Sequence, residues 1–369
     1  MILTVFLVVL LGLIALGMPI AFALIISAIV MMFQLDFYDT QLLAQNMLSG
    51  ANSFTLMAVP LFMLAGELMN AGGISRRIVH LANTFVGHIQ GGLGYVAIFA
   101  SVLLASLSGS AVADAAALGS LLIPMLREKG YEAGQASGLI AAGGIIAPII
   151  PPSISFIIFG VATNVSITKL FFAGIAPGLM MGLTLVAVWA WVARKHGSIK
   201  PAPREPWRNR LKALRGSLWA LFLPVIIIGG LRGGIFTPTE AAVVAAVYAL
   251  LVSLFVYREI GWRDLGPLFI NAARTTAVVM FLVAAAMVSS YMITLADLPQ
   301  DLIALLEPVM DQPKMLMFAL LILLTLVGTV MDLTPTILIL GPVLMPVVIK
   351  AGIDPVYFGV SPIMRPGAM

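Results

Sequence analysis

Long apolar runs follow one another along most of this 369-residue chain. Each run is about 15 to 25 residues long, and a helix of about 20 apolar residues matches the hydrocarbon thickness of a bilayer. Only 10% of the residues are charged, whereas soluble domains carry about 25%. We therefore predict an all-α polytopic membrane protein. Because Met1–Gly17 lacks a basic start and a cleavage site of small residues, we expect a first transmembrane helix there rather than a signal peptide.

Two features of the composition limit the possible chemistry. The chain has no cysteine, which excludes disulfides, thiolate nucleophiles and cysteine-ligated metals. Its three histidines, His80, His88 and His196, lie in or beside basic connectors, so no transition-metal site is expected. The net charge of +4 does not indicate a nucleic-acid partner, because lysine and arginine in a membrane protein report which loops face the cytoplasm.

The charges of the connectors predict their side of the membrane. The connector 34–52 carries two aspartates and no lysine or arginine, whereas 72–90 carries two arginines and two histidines. By the positive-inside rule, the first should face outside and the second the cytoplasm. The most basic stretch, 194–216, is predicted to be a proline-broken cytoplasmic connector, with a lipid-binding or regulatory basic switch as the alternative. The acidic connector after residue 295 should face outside.

Polar residues interrupt the apolar sequence twice between Ser106 and Ser153. The first interruption is SLSGSAVAD (106–114) and the second is GGIIAPIIPPS (143–153). Such residues are costly in a bilayer unless they line a cavity or hold an ion or substrate. We predict a re-entrant hairpin at about 91–126 with the first interruption at its tip, although two full spans remain an alternative. A helix at about 133–162 should unwind over the second interruption.

The second half of the chain repeats the pattern of the first. At an offset of 222, Leu118–Pro124 falls on Leu340–Pro346, and near the start of each half an offset of 219 pairs Pro19 with Pro238. One half begins outside and the other inside, which is the inverted-topology repeat typical of alternating-access transporters. The predicted organisation is a first repeat at 1–193, a connector at 194–216, a second repeat at 217–360 with an outer-side hairpin at about 315–350, and an aberrant tail at 361–369.

The tip of the second hairpin, Gly328–Thr336, carries oxygen-bearing side chains like those of the first. Hydroxyl, carboxylate and freed carbonyl oxygens can replace part of the water shell of a hard cation, and helix N-termini favour a carboxylate. Two tips that meet at the bilayer midplane would enclose a cation-and-anion site. The candidate residues are Ser106, Ser108, Gly109, Ser110, Asp114, Gly143, Gly144, Pro151, Pro152, Ser153, Gly328, Asp332, Thr334 and Thr336.

Each candidate also has a purely structural interpretation. Serine and threonine often bond to their own helix backbone, and glycine often permits close helix packing. Asp114 could be a cap one turn into the returning helix, and Pro151–Pro152 could simply keep the helix broken.

Four motifs give the chain a family resemblance: SLSGSAVAD (106–114), GGIIAPIIPPS (143–153), FTPTEAAVVAA (236–246) and MDLTPTILILGPVLMP (331–346). Over about residues 1–360 the chain resembles the large permease subunit of tripartite ATP-independent periplasmic (TRAP) transporters, the DctM-like family. The diketogulonate-type branch is the most similar.

The resemblance implies a bacterial inner-membrane sodium symporter for an organic acid, built as an inverted-repeat, elevator-type ion transporter whose mobile domain moves past a static scaffold. It implies two protein partners, a small four-helix permease subunit and a periplasmic solute-binding protein. The sodium and substrate sites would lie at the two tips and the break. By the same resemblance they would include Ser106, Ser108, Ser110, Asp114, the 143–153 break, Gly328, Asp332, Thr334 and Thr336.

The chain departs from the family pattern at its C-terminus. By the repeat offset, the counterpart of Gly143–Ser153 should begin near residue 365, where the family has a second broken helix. Residues 361–369 contain no apolar run instead. We therefore expect an incomplete second repeat and a transport-deficient chain.

Three other functions compete with this prediction. Another two-hairpin, inverted-repeat carboxylate transporter is the nearest, and a passive channel would show flux independent of a sodium gradient. An intramembrane enzyme would need Asp114 and Asp332 as an aspartyl pair, yet the repeat does not make them equivalent and neither follows a Gly-x-Gly sequence. We therefore predict no enzymatic activity.

Overall fold

The computed structural model describes residues 2–195, 203–298, 312–329 and 331–364, together with residues 300, 303, 306 and 310. In these parts the regular structure is helical throughout. The helices are α1 (Ile2–Ala15), α2 (Ile20–Gln34), α3 (Thr40–Ala51), α4 (Ala58–Ala71), α5 (Ile74–Val86), α6 (Gly92–Ser108), α7 (Ala111–Glu128), α8 (Ala133–Gly144), α9 (Ile154–Thr163), α10 (Ile167–Lys195), α11 (Trp207–Arg232), α12 (Pro238–Leu251, continued by a π-helical turn at Val252–Val256), α13 (Leu265–Leu295), α14 (Pro313–Gly328), α15 (Leu333–Lys350) and α16 (Pro355–Met364).

The prediction of an all-α polytopic membrane protein is confirmed. Within the described parts of the chain, five helices are long and apolar enough to cross a bilayer, or six if the bent pair Thr40–Ala51 and Thr55–Ala71 counts as one span. The re-entrant course of the hairpins, the inverted repeat and the elevator motion stay predictions. Most of the acidic connector, residues 196–202 of the basic connector and residues 365–369 of the predicted tail lie outside the described residues.

The prediction for 34–52 missed a helix. Helix α3 lies inside this connector, and Asp39 caps it by accepting hydrogen bonds from the backbone N–H of Gln41 at 2.8 Å and of Leu42 at 3.2 Å. α3 then bends by 56° into the helix that follows. An aspartate ahead of a run without proline is a helix start signal, so the sequence held the evidence for α3.

The central connector is shorter than predicted, and so is the tail. α10 continues to Lys195, and α11 begins at Trp207, directly after Pro206. The prolines of this stretch all precede Trp207 and therefore cannot interrupt the helix that starts there. At the C-terminus, α16 continues through Ser361 to Met364, so the boundary predicted at 361 falls within a helix.

Two segments predicted to be cytoplasmic meet the segment after α12 at one end of the molecule. Arg77 forms an ion pair with Glu259 at 2.9 Å, and the Ser217 hydroxyl donates to the Arg77 carbonyl at 3.1 Å. Nearby, a guanidinium nitrogen of Arg210 lies 3.5 Å from Nδ1 of His88. These contacts place the connector 72–90, the start of α11 and the segment after α12 on the same side of the bilayer.

Two groups of packed helices are joined by α5, which packs against α4 and α6, and by α15, which packs against α13 and α9. In one, α12 packs against α4, and α13 packs against α2, α3 and α4. In the other, the antiparallel pair α6 and α7 (the first hairpin) packs on α8, with α10 against α6. α9 packs against α15 and α16.

Glycines let α10 approach the break of the second group. A β-carbon on Gly174 would lie 2.4 Å from the carbonyl oxygen of Ile149, and one on Gly178 would lie 2.5 Å from the Ile150 side chain. Small residues at four-residue spacing permit such close packing between membrane helices. α10 therefore supports the unwound segment from behind.

Candidate functional site

The tip of the first hairpin is a turn of two residues. α6 ends at Ser108 and α7 begins at Ala111, with Gly109 between them at φ 62°. This left-handed conformation favours glycine because it carries no β-carbon. Ser110 is the N-cap of α7, and its hydroxyl oxygen accepts a hydrogen bond from the Ala113 N–H at 3.4 Å.

The predicted break in the next helix is present. α8 ends at Gly144 and α9 begins at Ile154, and the residues between them form turns. Ser153 is the N-cap of α9 and is fully buried. Its hydroxyl oxygen accepts from the Phe156 N–H at 3.2 Å and its hydroxyl proton is donated to the Pro148 carbonyl. One side chain thus satisfies a free helix donor and a carbonyl of the break.

The hairpin tip and the break are in direct contact. A β-carbon on Gly109 would lie 2.4 Å from the Pro152 carbonyl oxygen and 3.1 Å from the Ser153 Cα. The structure therefore brings together two groups of candidate residues that are about 40 positions apart in the sequence. Helix N-termini carry partial positive charge, and those of α7 and α9 begin beside this contact.

Gly143 and Gly144 have the packing role that the sequence left open. A β-carbon on Gly143 would lie 2.3 Å from the Ser101 hydroxyl oxygen on α6, and one on Gly144 would lie 3.0 Å from the Ala115 β-carbon on α7. The two glycines let α8 contact both arms of the first hairpin.

Asp114 is 1% exposed and lies in the first turn of α7. The observed N-cap of that helix is Ser110, and Asp114 lies one turn further in, where a carboxylate is favoured by the partial positive charge of the helix N-terminus. Ser106 is nearly buried and donates its hydroxyl proton to the Leu103 carbonyl at 2.7 Å. A hydroxyl that donates its proton to the backbone still has oxygen lone pairs, so this bond leaves an acceptor on Ser106.

The second tip differs from the first in its exposure. Gly328 ends α14, and Asp332 is the residue before α15, with an exposed side chain that makes no capping bond. Thr334 is half-buried, and Thr336 is buried with its hydroxyl donated to the Asp332 carbonyl at 2.8 Å. Asp332 is thus open to solvent or ligand, whereas Asp114 is enclosed.

The two halves of the broken helix pack on different hairpins. α8 contacts the first hairpin, whereas α9 contacts α15, the returning arm of the second. A β-carbon on Gly341 of α15 would lie 3.1 Å from Thr163 on α9. The ring of Phe159 on α9 also lies 6.3 Å from that of Phe358 on α16. The unwound segment therefore connects the two hairpins.

Sequence reasoning passed over two residues near the first hairpin. Glu67 lies in the apolar helix α4, and Arg76 lies early in α5. Both line a crevice against α7. A single acid inside an apolar run is a signal that could have identified Glu67.

Replacing Ser153 with alanine should destabilise the break. The change removes an N-cap bond and leaves the Pro148 carbonyl without its hydroxyl donor, and the loss of such a cap typically costs about 1–2 kcal/mol. We expect a lower melting temperature in detergent. Ser166→Ala is the matched control, because the Ser166 hydroxyl also accepts a backbone N–H, that of Lys169, at an exposed position. An equal fall in melting temperature for both variants would contradict a greater contribution of Ser153 to stability.

Comparisons with known proteins agree with the motifs. Residues 7–365 match the family model described as the DctM component of tripartite ATP-independent periplasmic transporters. The chain is 56% identical to the 2,3-diketo-L-gulonate TRAP transporter large permease protein YiaN of Escherichia coli over 354 residues, which is 95% of this chain and 82% of that protein.

Less similar relatives are also named as large permease proteins, but for other substrates. The chain is 40% identical to the sialic acid TRAP transporter large permease protein SiaM of Vibrio cholerae, over 96% of this chain and 83% of that protein. It is 39% identical to the C4-dicarboxylate TRAP transporter large permease protein DctM of Pseudomonas aeruginosa, over 86% of this chain and 74% of that protein.

Proposed function

The chain belongs to the DctM component family of TRAP transporters, and on that premise we propose that it is the large membrane subunit of a sodium-coupled importer of an organic acid. The acid would be delivered by a periplasmic solute-binding protein, with a small permease subunit as the second partner in the inner membrane. A six-carbon sugar acid of the diketogulonate type is the proposed substrate, because the relative named for it is 56% identical over most of the chain.

The observation that carries this proposal is the contact between Gly109 and the Pro152–Ser153 backbone. It joins an unwound backbone to a hairpin tip inside an apolar chain. Irregular backbone at membrane depth is tolerated where it lines a cavity or a binding site. The capped N-termini of α7 and α9 suit a carboxylate.

The oxygens around this contact suit sodium as a co-transported ion. Sodium is a hard cation and prefers neutral and anionic oxygens. The Ser106 hydroxyl, the carbonyls of the break and the buried Asp114 carboxylate supply that type of ligand. Sodium would be bound with the acid and released with it, and the protein would form no covalent bond to either.

The proposed inverted repeat has support in the helix bounds. α7 runs from Ala111 to Glu128 and α15 from Leu333 to Lys350, so both ends of the second helix follow the first by the offset of 222 found in the sequence. α16 begins the same distance after α8. In an alternating-access mechanism, two such halves would expose the site to opposite sides in turn.

Uptake of labelled 2,3-diketo-L-gulonate into vesicles tests this function. Uptake in every transport test is measured on the chain extended at its C-terminus by the corresponding segment of YiaN, a protein that this chain covers to 82%. Vesicles holding this protein with its two partners should accumulate the acid when sodium is higher outside. Accumulation should stop when the solute-binding protein is omitted. A potassium gradient of equal size is the control. Accumulation that does not depend on the sodium gradient would favour another carrier. Flux of the acid only down its own gradient, whatever the sodium gradient, would favour a channel. Either result would overturn the proposal.

A further inference from the structure

A crevice of about 410 Å³ separates α7 from the corner between α4 and α5. Apart from Leu121, its α7 wall is made of small side chains, including Ala113, Ala117 and Ser120. These residues span about 10 Å along the helix at 1.5 Å per residue. At the upper end, the Ala113 N–H donates to Ser110 of the hairpin tip. The crevice therefore extends from the level of the tip along the returning arm.

The opposite wall of the crevice is polar. Glu67 of α4 is half-buried, Arg76 is exposed, and Asn70 accepts a 2.6 Å hydrogen bond from the Ser75 hydroxyl. Among the described residues, Glu67 and Arg76 form no ion pair within 4.0 Å, although both line the crevice. Charged side chains at membrane depth face water-filled cavities because hydrocarbon does not solvate them. A space of this size with several polar partners holds water.

One end of the crevice lies beside the basic end of the molecule. The carbonyl of Gly73, which lines the crevice, accepts a hydrogen bond at 3.2 Å from Arg77, and Arg77 pairs with Glu259. The positive-inside rule assigns the connector that carries these arginines to the cytoplasm. The crevice thus extends from the level of the first hairpin tip toward the end predicted to face the cytoplasm.

We propose that this crevice is the cytoplasmic exit route of the transported acid, and that Arg76 is the cation that the carboxylate meets on its way out. This rests on the proposed function and adds the route and a residue that sets its charge preference. Small side chains do not narrow the passage at Ala113, Ala117 and Ser120. Arg76 raises the local concentration of anions at the mouth by long-range attraction.

Thiol labelling tests the route, because the chain has no native cysteine. Ala117→Cys and Ser120→Cys in inside-out vesicles should react with a membrane-impermeant maleimide at least about ten times faster than two controls, since the thiolate forms only where water reaches it. Val278→Cys is the first control, at a position 70% exposed within the apolar helix α13, and Leu118→Cys is the second, at a fully buried neighbour on α7. Labelling no faster than Val278→Cys, or labelling only from the periplasmic side, overturns the proposal.

Efflux kinetics test Arg76. In vesicles loaded with the acid, Arg76→Gln should raise the KM for efflux about threefold or more. Arg76→Lys should keep the KM close to that of the parent protein, because the attraction depends on charge. Arg208→Gln, which removes an exposed cation on α11 away from the crevice, should leave the KM unchanged. An unchanged KM in Arg76→Gln, or an equal rise in Arg208→Gln, overturns the role of Arg76.

The labelling requires no transport, so the two proposals can fail separately. Sodium-driven uptake without labelling at Ala117 and Ser120 would overturn the exit route and leave the function standing. Labelling without sodium-driven uptake would overturn the proposed function and, with it, the assignment of the crevice as an exit.

Discussion

Replacement of Gly109 with alanine is expected to abolish uptake and to lower the stability of the protein by about 2–5 kcal/mol. The residue has φ 62°, where a β-carbon is strained, and that β-carbon would lie 2.4 Å from the Pro152 carbonyl oxygen. The clash is with backbone that α10 holds from behind, so a side-chain rotation cannot relieve it. Native proteins are stable by only about 5–15 kcal/mol, and this loss would separate the tip from the break.

Gly130→Ala is the matched control for this prediction. Gly130 also has a positive φ, 95°, but a β-carbon there would meet nothing within 4 Å. This variant should show only the conformational strain, about 1–2 kcal/mol, and should retain uptake. Melting curves in detergent and uptake by vesicles measure both effects. If both alanine variants lost the same stability and activity, the loss at Gly109 would come from the strain of the turn alone, and the contact with Pro152 would contribute nothing.

Neutralising Asp114 by the change to asparagine is expected to lower sodium-driven uptake at least about tenfold, which corresponds to 1.4 kcal/mol. The carboxylate is 1% exposed within an apolar helix bundle, and a buried charge is costly unless hydrogen bonds and a cation compensate it. Ionisable residues inside membrane segments therefore mark ion or substrate sites. Asparagine has nearly the same shape without the charge. The melting temperature without sodium should therefore stay the same or rise, while its increase on adding sodium should disappear.

Glu128→Gln serves as the control for Asp114, since it removes a carboxylate from the exposed far end of the same helix. Uptake and its sodium dependence should be unchanged in this variant. An Asp114→Asn protein that keeps the sodium dependence of the parent would exclude Asp114 from the ion site. A protein that fails to fold would point instead to a structural role for the carboxylate.

The turn at the first hairpin tip and the break in the next helix each follow from local signals that the sequence displays, whereas the contact between them depends on the fold. Ser110 and Ser153 are N-cap residues, Gly109 permits the turn, and prolines end the helix at the break. Each signal acts through the backbone of its own neighbours, so its effect does not require the rest of the fold.

Burial at the two tips could be predicted only in part. The repeat offset pairs Asp114 with Thr336 and Ser110 with Asp332, and the structure buries both members of the first pair. The second pair occupies N-cap positions. The sequence did not predict that Asp114 is buried and Asp332 exposed, because exposure depends on which helices pack over a position.

Helix boundaries in the polar connectors were the least predictable feature. α3 is only 12 residues long and half polar, and the first turns of α11 are strongly basic, so neither resembles a membrane span. Their stability comes from tertiary contacts. Ser217 and Arg210 on α11 contact Arg77 and His88, which are more than 120 positions away in the chain.

The broken helix has one half on each hairpin, and this arrangement has a thermodynamic consequence. A ligand that orders the segment between Gly144 and Ile154 restricts both hairpins at once, so a second ligand at either tip loses less conformational freedom on binding. Linkage requires the effect to be reciprocal. The ion and the acid should each tighten the binding of the other, and transport of either alone would then be disfavoured without any contact between the two.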